Sequence, residues 1–274
     1  MQTEIYIISH KEIALPKNEL YLPIQVGSKK KRKRFKRFLQ DDAGENIAFK
    51  NPHYCELTAQ YWAWKNRPAA DIQGIVHYRR FFANSLGKNQ VITTKPFDHI
   101  LQADFLAELL SKYDLTLPPK RYFLEPNLWL HYRFQHRLIG LKVAQEVITQ
   151  KFPAYTTAFD QVIFHQRSAH MYNMFIARRS LFCAYSAWIF AVLQETEARI
   201  DIRNFLSYEQ RIFGFLSEFL LNVWVKKNQL NFVEVPVIMT QHRNYPAEAC
   251  QYLQRRINQG RKNSKIHQVL KTHF

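Results

Sequence analysis

Short apolar runs rich in β-branched residues alternate with helix-patterned segments along this chain, and that alternation restricts its possible folds more than any other feature. "EIYIIS" (4–9), "YLPIQVG" (21–27), "GIV" (74–76), "YDLTLPP" (113–119) and "NFVEVPVI" (231–238) read as strands. Asn51 and Pro52 have the chemistry of an N-cap and a first helical residue, which predicts a helix over 52–66. Tyr54, Leu57, Tyr61 and Trp64 would form its core stripe, with Glu56, Gln60 and Lys65 off it. "NMFIARRSLF" (173–182) reads as a strand turning into a helix, and 207–228 as the strongest helix. Ser207 and Gln210 have capping-box spacing at its start, while Lys226 and Lys227 suit its C-terminal end. Strands alternating with helices predict an α/β fold, a Rossmann-type, mostly parallel sheet flanked by helices. A single domain is expected over 1–245, followed by a basic, partly helical tail over 246–274.

Composition narrows the class of ligand. The chain has 47% hydrophobic residues, enough for a real core, and its 39 Lys and Arg outnumber 22 Asp and Glu to give a formal charge of +17. Such a surface prefers polyanions: nucleic acid, anionic headgroups or phosphorylated small molecules. Much of the excess lies in "SKKKRKRFKRF" (28–38), which is either a solvated loop or an anion-binding arm. Cys55, Cys183 and Cys250 are odd in number and widely spaced, so neither a disulfide framework nor a thiolate metal site is expected, and a reducing compartment is. The start, "MQTEIYIISHKE", lacks the pattern of a secretory signal. The longest apolar stretch, "SLFCAYSAWIFAVL" (180–193), falls short of the roughly 20 residues that span a bilayer. A cytoplasmic chain is expected.

The strand at 74–76 runs directly into His77, Tyr78, Arg79 and Arg80. Ligands of open α/β sheets bind beyond the carboxyl ends of strands, and arginine's planar fork matches phosphate oxygens. The alternative is ordinary ion pairing at a sheet edge. On the helix at 207–228, Arg211, Gly214, Glu218 and Asn222 share one face. Glu218 thus lies beside a small residue, where it is either a general base or one half of a surface ion pair. "DDAGEN" (41–46) offers oxygen ligands but not the spacing of a calcium loop, and reads more simply as a turn. Walker, G-x-G-x-x-G, H-E-x-x-H and G-x-S-x-G motifs are missing.

"VGS" (26–28), "DDAGENIAFKNPHYCELTAQYWAWKN" (41–66) and "GIVHYRRFF" (74–82) resemble a family first catalogued as a domain of unknown function, DUF4422, in capsule and exopolysaccharide clusters. "NMFIARRSLF" and "RIFGFLSEFLLNVW" (211–224) are similar to its second half, so the likeness spans most of residues 1–240. Where the family pattern has an arginine after the glutamate, this chain has Phe219, which moves any role of that arginine elsewhere, with Arg211 the nearest candidate. The resemblance implies a glycosyltransferase with a GT-A-like fold. In such enzymes an Asp-x-Asp metal motif usually ends the strand that is here followed by His77, Arg79 and Arg80.

By that resemblance the donor is a nucleotide sugar, of the UDP type, held by Ser9, Gly27, Asp41, Asp42, Asn46, Asn51, Glu56, Thr58, His77, Arg79 and Arg80. The arginines would replace a divalent cation, so no cofactor is required, although Asp41 or Asp42 leaves a metal possible. Glu218 is the first candidate for catalytic base and Asp160 the second. The transferred group would be a hexosyl, galactosyl or galactofuranosyl unit. The acceptor would be a lipid-linked glycan of a capsule, exopolysaccharide or lipopolysaccharide pathway. The Lys/Arg run at 29–37 and the tail would hold the protein at an anionic membrane, peripherally on its inner face. Two other readings stand beside this one: a nucleic-acid-binding protein, and a non-catalytic scaffold of a polysaccharide-synthesis complex.

Overall fold

The computed structural model describes residues 2–27, 33–87, 93–241 and 244–271; from 244 onward, side chains are described at 244 and 246–263. Residues 28–32 of the Lys/Arg run thus lie outside the described residues. Of the rest of that run, Lys33 pairs with Glu12 at 3.2 Å and Arg34 holds Asp42 through two hydrogen bonds of 2.9 and 2.7 Å.

Strands β1 (Thr3–Ser9), β2 (Tyr21–Gln25) and β3 (Leu39–Gln40) pair in parallel, and after helices α1 (Asn51–Tyr54) and α2 (Leu57–Asn66) strand β4 (Ile72–His77) joins β1 on its other side. β5 (Arg80–Phe82) folds straight back from β4, His77 facing Arg80 across a turn made by Tyr78 and Arg79. Helix α3 (Ala103–Lys112) leads to β6 (Leu115–Leu117), and β7 (Arg121–Tyr122) starts a helical layer of α4 (Leu128–Gln135), α5 (Leu138–Lys151) and α6 (Thr156–Ile163). β8 (Ser168–Ala169) pairs with β7, and β9 (Phe175–Arg178) enters the main sheet antiparallel between β4 and β6. Next come α7 (Arg179–Glu197), α8 (Ile212–Lys227), β10 (Phe232–Glu234), β11 (Val237–Met239) and α9 (Tyr245–Lys271). Among the described residues the main sheet runs β10-β6-β9-β4-β1-β2-β3, with β11 attached through β5. The central sheet is therefore mostly parallel and flanked by helices.

The period of two along β1 divides the core. Ile5 and Ile7 face one layer, with Phe81, Phe82 and the α3 residues Leu106, Leu109 and Leu110. Tyr6 and Ile8 face the other, with α2, α5, α7 and α8. Both sheet faces being covered explains why these strands read as continuous apolar runs rather than alternating ones.

Several local expectations change. The helix over 52–66 is broken, because Cys55 has φ 54° and ψ −125°. Asn51 does not cap its start; its Nδ2 donates to the Cys55 carbonyl at 2.8 Å, at the break. The buried side of α2 then includes Thr58, Ala59, Gln60, Trp62 and Ala63, while Tyr61 and Trp64 are half-buried against Phe190. The 207–228 helix starts later, at Ile212, and without the capping box: Gln210 Nε2 donates to the Phe205 carbonyl at 3.0 Å instead. The run at 231–238 becomes two strands separated at Val235–Pro236, with β11 turning onto β5.

Helix α9 packs along α4. Its Tyr252 hydroxyl donates to Glu125 Oε1 at 2.6 Å, and Arg256 pairs with the same carboxylate, which is only 1% exposed. Lys262 pairs with buried Glu209, and Gln259 Nε2 donates to it at 2.8 Å. Asn263 accepts from Leu138 N at 3.1 Å and donates to the His136 carbonyl at 2.9 Å.

Candidate active site

The carboxyl ends of β1, β2 and β4 lie side by side, Ser9 opposite Gln25 and Ile8 opposite His77. A cleft of about 580 Å³ opens beyond them. Its walls bring together Ser9, Asn51, Glu56, His77, Arg79, Arg80 and Glu218, seven of the expected site residues drawn from four separate stretches of chain. The other six are not among the lining residues. Asp41 and Thr58 lie beneath, joined to each other by a 2.7 Å hydrogen bond from Thr58 Oγ1 to Asp41 Oδ2. Gly27 donates its N–H to the same Asp41 oxygen at 3.0 Å and turns the chain there with φ +66°. Asp42 is engaged by Arg34, and the Asn46 amide closes the 42–44 turn through carbonyls at 3.1 and 2.7 Å. Asp160 belongs to α6, where its backbone carbonyl accepts from Phe164 N.

A turn that the sequence did not announce ties the cleft together. Tyr172 and Asn173 both have positive φ, 81° and 52°, a pairing rare for residues with side chains. Tyr172 N donates to Glu218 Oε1 at 3.0 Å, and its carbonyl accepts from His77 Nε2, which places the His77 proton on Nε2. Its ring lies 4.4 Å beneath the Arg80 guanidinium. Asn173 Nδ2 donates to Glu56 Oε1 at 2.6 Å and to the Gly214 carbonyl at 3.1 Å, while its Oδ1 accepts from Ser217 Oγ at 2.9 Å. Five hydrogen bonds and the Arg80 contact thus hold the two positive-φ residues in place.

Among the described residues, four guanidinium groups line the cleft: Arg79, Arg80, Arg121 and Arg211. Arg211, expected on the Glu218 face of a longer helix, stands just before α8 and still lines the cleft, whereas Arg121 was missed because its short strand has no pattern of its own. Phe219 is fully buried against Tyr132 and His136 and is not among the residues that line the cleft. Arg211 Nε donates to Cys55 Sγ at 3.1 Å. Burial pushes that thiol up to about 12, the neighbouring Glu56 adding to it, so it stays protonated. Gly214 makes this approach possible, since a Cβ there would stand 3.0 Å from the Cys55 sulfur.

Glu218 behaves differently from a surface acid. Burial raises Glu218 to about 7, Glu56 adds repulsion, and the Tyr172 N–H and Arg80 only partly offset it. Burial lowers His77, helped by Arg80 and Arg79 and opposed by Glu56, so the ring is neutral at neutral pH. The site therefore presents a band of fixed positive charge next to an acid poised to exchange a proton near neutrality. Among the described residues no three His, Cys, Asp or Glu side chains converge as a metal-binding group.

This chain belongs to the family described as Domain of unknown function (DUF4422), whose model matches residues 4–229. Its structure is similar to the apo structure of the bifunctional glycosyltransferase WbbM, with a TM-score of 0.80 and 28% identity over 88% of this chain and 46% of that one. The chain thus spans about half the length of WbbM, with a glycosyltransferase fold. No curated protein sequence matches it.

Proposed function

We propose that this protein is a glycosyltransferase that moves a hexosyl group from a UDP-sugar to a growing surface glycan, and that arginines replace the divalent cation of GT-A enzymes. The observation that carries this reading is the cleft itself, where Arg79, Arg80, Arg121 and Arg211 stand around Glu218 at the carboxyl ends of a parallel sheet. Its likeness to a bifunctional glycosyltransferase and its family membership support the same class.

In an inverting transfer, the acceptor hydroxyl oxygen forms the new bond to the anomeric carbon as the bond to the diphosphate breaks. The leaving electron pair goes to the diphosphate, where Arg79 and Arg80 offset the developing charge, with Arg121 and Arg211 behind them. The hydroxyl proton passes to Glu218 Oε2, because Oε1 is held by the Tyr172 N–H. Glu56, fixed by Asn173, faces the same space and suits a sugar hydroxyl. The acceptor is a lipid-linked glycan of a capsular, exopolysaccharide or lipopolysaccharide pathway, and galactosyl or galactofuranosyl is the group favoured by the resemblance. The Lys/Arg run at 29–37 and the tail add roughly 1 kcal/mol per cation near an anionic cytoplasmic leaflet.

Thermal melting with UDP, UDP-sugars or an oligonucleotide, each with and without EDTA, tests the reading against its main rival. A UDP-dependent rise that survives EDTA and disappears in Arg79→Ala is the expected result. A rise with the oligonucleotide alone would replace this reading by nucleic-acid binding, and a UDP effect abolished by EDTA would overturn the metal-free part.

A further inference from the structure

Arg79 and Arg80 line a second hollow as well as the main cleft. It is a groove of about 250 Å³ between the end of β11 and the first turns of α9. The two arginines therefore form a partition with a space on either side. Backbone pairing fixes that partition to the groove: Met239 is paired with Arg80, and Thr240 N donates to the Arg79 carbonyl at 3.1 Å. On the far side α9 begins firmly, with Asn244 Oδ1 accepting from Ala247 N at 3.1 Å. This wall lies C-terminal to the stretch 4–229 matched by the family model.

The two hollows differ in chemistry. The main cleft is dominated by guanidinium groups and suits an anion. The groove adds the amides of Gln241, Asn244 and Gln251 and the carboxylate of Glu248 to the two arginines, with Met239 as an apolar surface. Amides donate and accept together, which suits vicinal hydroxyls, and the Glu248 carboxylate offsets part of the guanidinium charge. A group transferase also needs its second substrate to approach the reacting carbon from a separate direction.

We infer that this groove is the acceptor subsite: it holds a neutral, polyhydroxylated sugar ring whose chain passes over the Arg79–Arg80 partition to place its hydroxyl in the main cleft. The inference rests on the donor reading of that cleft. It makes α9 part of the binding machinery, with acceptor choice decided by Gln241, Asn244, Glu248 and Gln251.

The test is calorimetric titration of octyl glucoside, octyl galactoside, octyl mannoside and octyl N-acetylglucosaminide, below their micelle-forming concentrations, into wild type, Gln251→Trp and Gln241→Ala, with and without UDP. Gln241 and Gln251 are exposed, so neither change disturbs the core. At least one glycoside should bind the UDP-loaded wild type, then lose about tenfold or more in affinity when Trp fills the groove and a smaller factor when the Gln241 amide is removed. UDP affinity should stay within about twofold in both variants. Equal glycoside affinity in wild type and Gln251→Trp overturns the inference, and so does the lack of any glycoside binding to UDP-loaded protein. Failure of UDP to bind wild type defeats the donor reading instead, and the titrations without UDP still report on the groove.

Discussion

Glu218 shows how position sets the chemistry of one side chain. On an exposed helix it would be an ordinary acid; beneath the Tyr172 turn and beside Glu56 it titrates near 7. If it is the base, kcat/KM rises with pH through about 7, because only the deprotonated form accepts the hydroxyl proton. Glu218→Gln should lower kcat by about 10²–10⁴-fold while the UDP-dependent melting shift remains. Stability should move the other way. A carboxyl raised in the folded state stabilises it fully below the unfolded pKa near 4.5, and that contribution fades as pH rises through about 7. Urea melts of wild type and Glu218→Gln across that range should show the decline only in wild type. Gly27 is the second sensitive position: its φ is +66°, and a Cβ would stand 2.6 Å from Asn51 Oδ1. Gly27→Ala should cost about 1–3 kcal/mol, read as a lowered Tm, and displace the Asn51 wall of the cleft. Arg79, Arg80 and Glu218 were legible in the sequence because charge at a strand end and a carboxylate beside a small residue are local patterns. Tyr172 and Asn173 were not, since nothing in "HMYNM" marks two consecutive left-handed residues.

At the level of elements, the informative departures are breaks. A continuous helix over 52–66 satisfies periodicity, yet the chain interrupts it at Cys55 so that Glu56 turns toward Asn173 while α8 packs against the break through Gly214. The interruption separates a segment that lines the cleft from one that packs against α7. Helix α9 shows the opposite effect, a polar and basic segment that is nonetheless docked. Its hold depends on Glu125: burial alone would raise this carboxyl, but hydrogen bonds from His131 and Tyr252 outweigh it and leave it at about 2. Its stabilising contribution is therefore present above about 4.5 and lost as pH falls toward 2. Glu125→Ala should destabilise the fold by about 2 kcal/mol and remove amide-exchange protection selectively from α9 and α4. Unchanged protection in α9 would mean that its other contacts, at Glu209 and Leu138, suffice to dock it.

For the whole molecule, the net charge of +17 is the dominant fact. Some of that charge is already committed, as Arg34 to Asp42, Arg256 to Glu125 and Lys262 to Glu209. Among the described residues four arginines line the cleft. Among the described residues no helix is long and apolar enough to cross a membrane. If the basic surface serves that end, the protein should sediment with vesicles containing phosphatidylglycerol, release as ionic strength rises, and ignore neutral vesicles. Replacing the basic residues of 29–37 by Gln should weaken the sedimentation without changing UDP binding. Equal binding to neutral and anionic vesicles would contradict an electrostatic attachment.

The sequence by itself determined the alternation of strands and helices, the parallel character of the sheet, the basic surface and the charged end of β4. These follow from properties carried by neighbouring residues: periodicity, propensity and the cost of burying a charge. The tertiary structure alone decided which charges meet. Glu56 and Asn173 are 117 positions apart, His77 and Tyr172 are 95 apart, and Glu218 reaches Tyr172 across 46. Such convergence depends on strand order and on how helices cross the sheet, and no local pattern encodes either. It also reassigned residues of one motif: Asn51 and Glu56 line the cleft, while Asp41 and Thr58, just as prominent in the sequence, bond to each other below it. Burial then completed what sequence could not, turning one glutamate among many into an acid that titrates near neutrality.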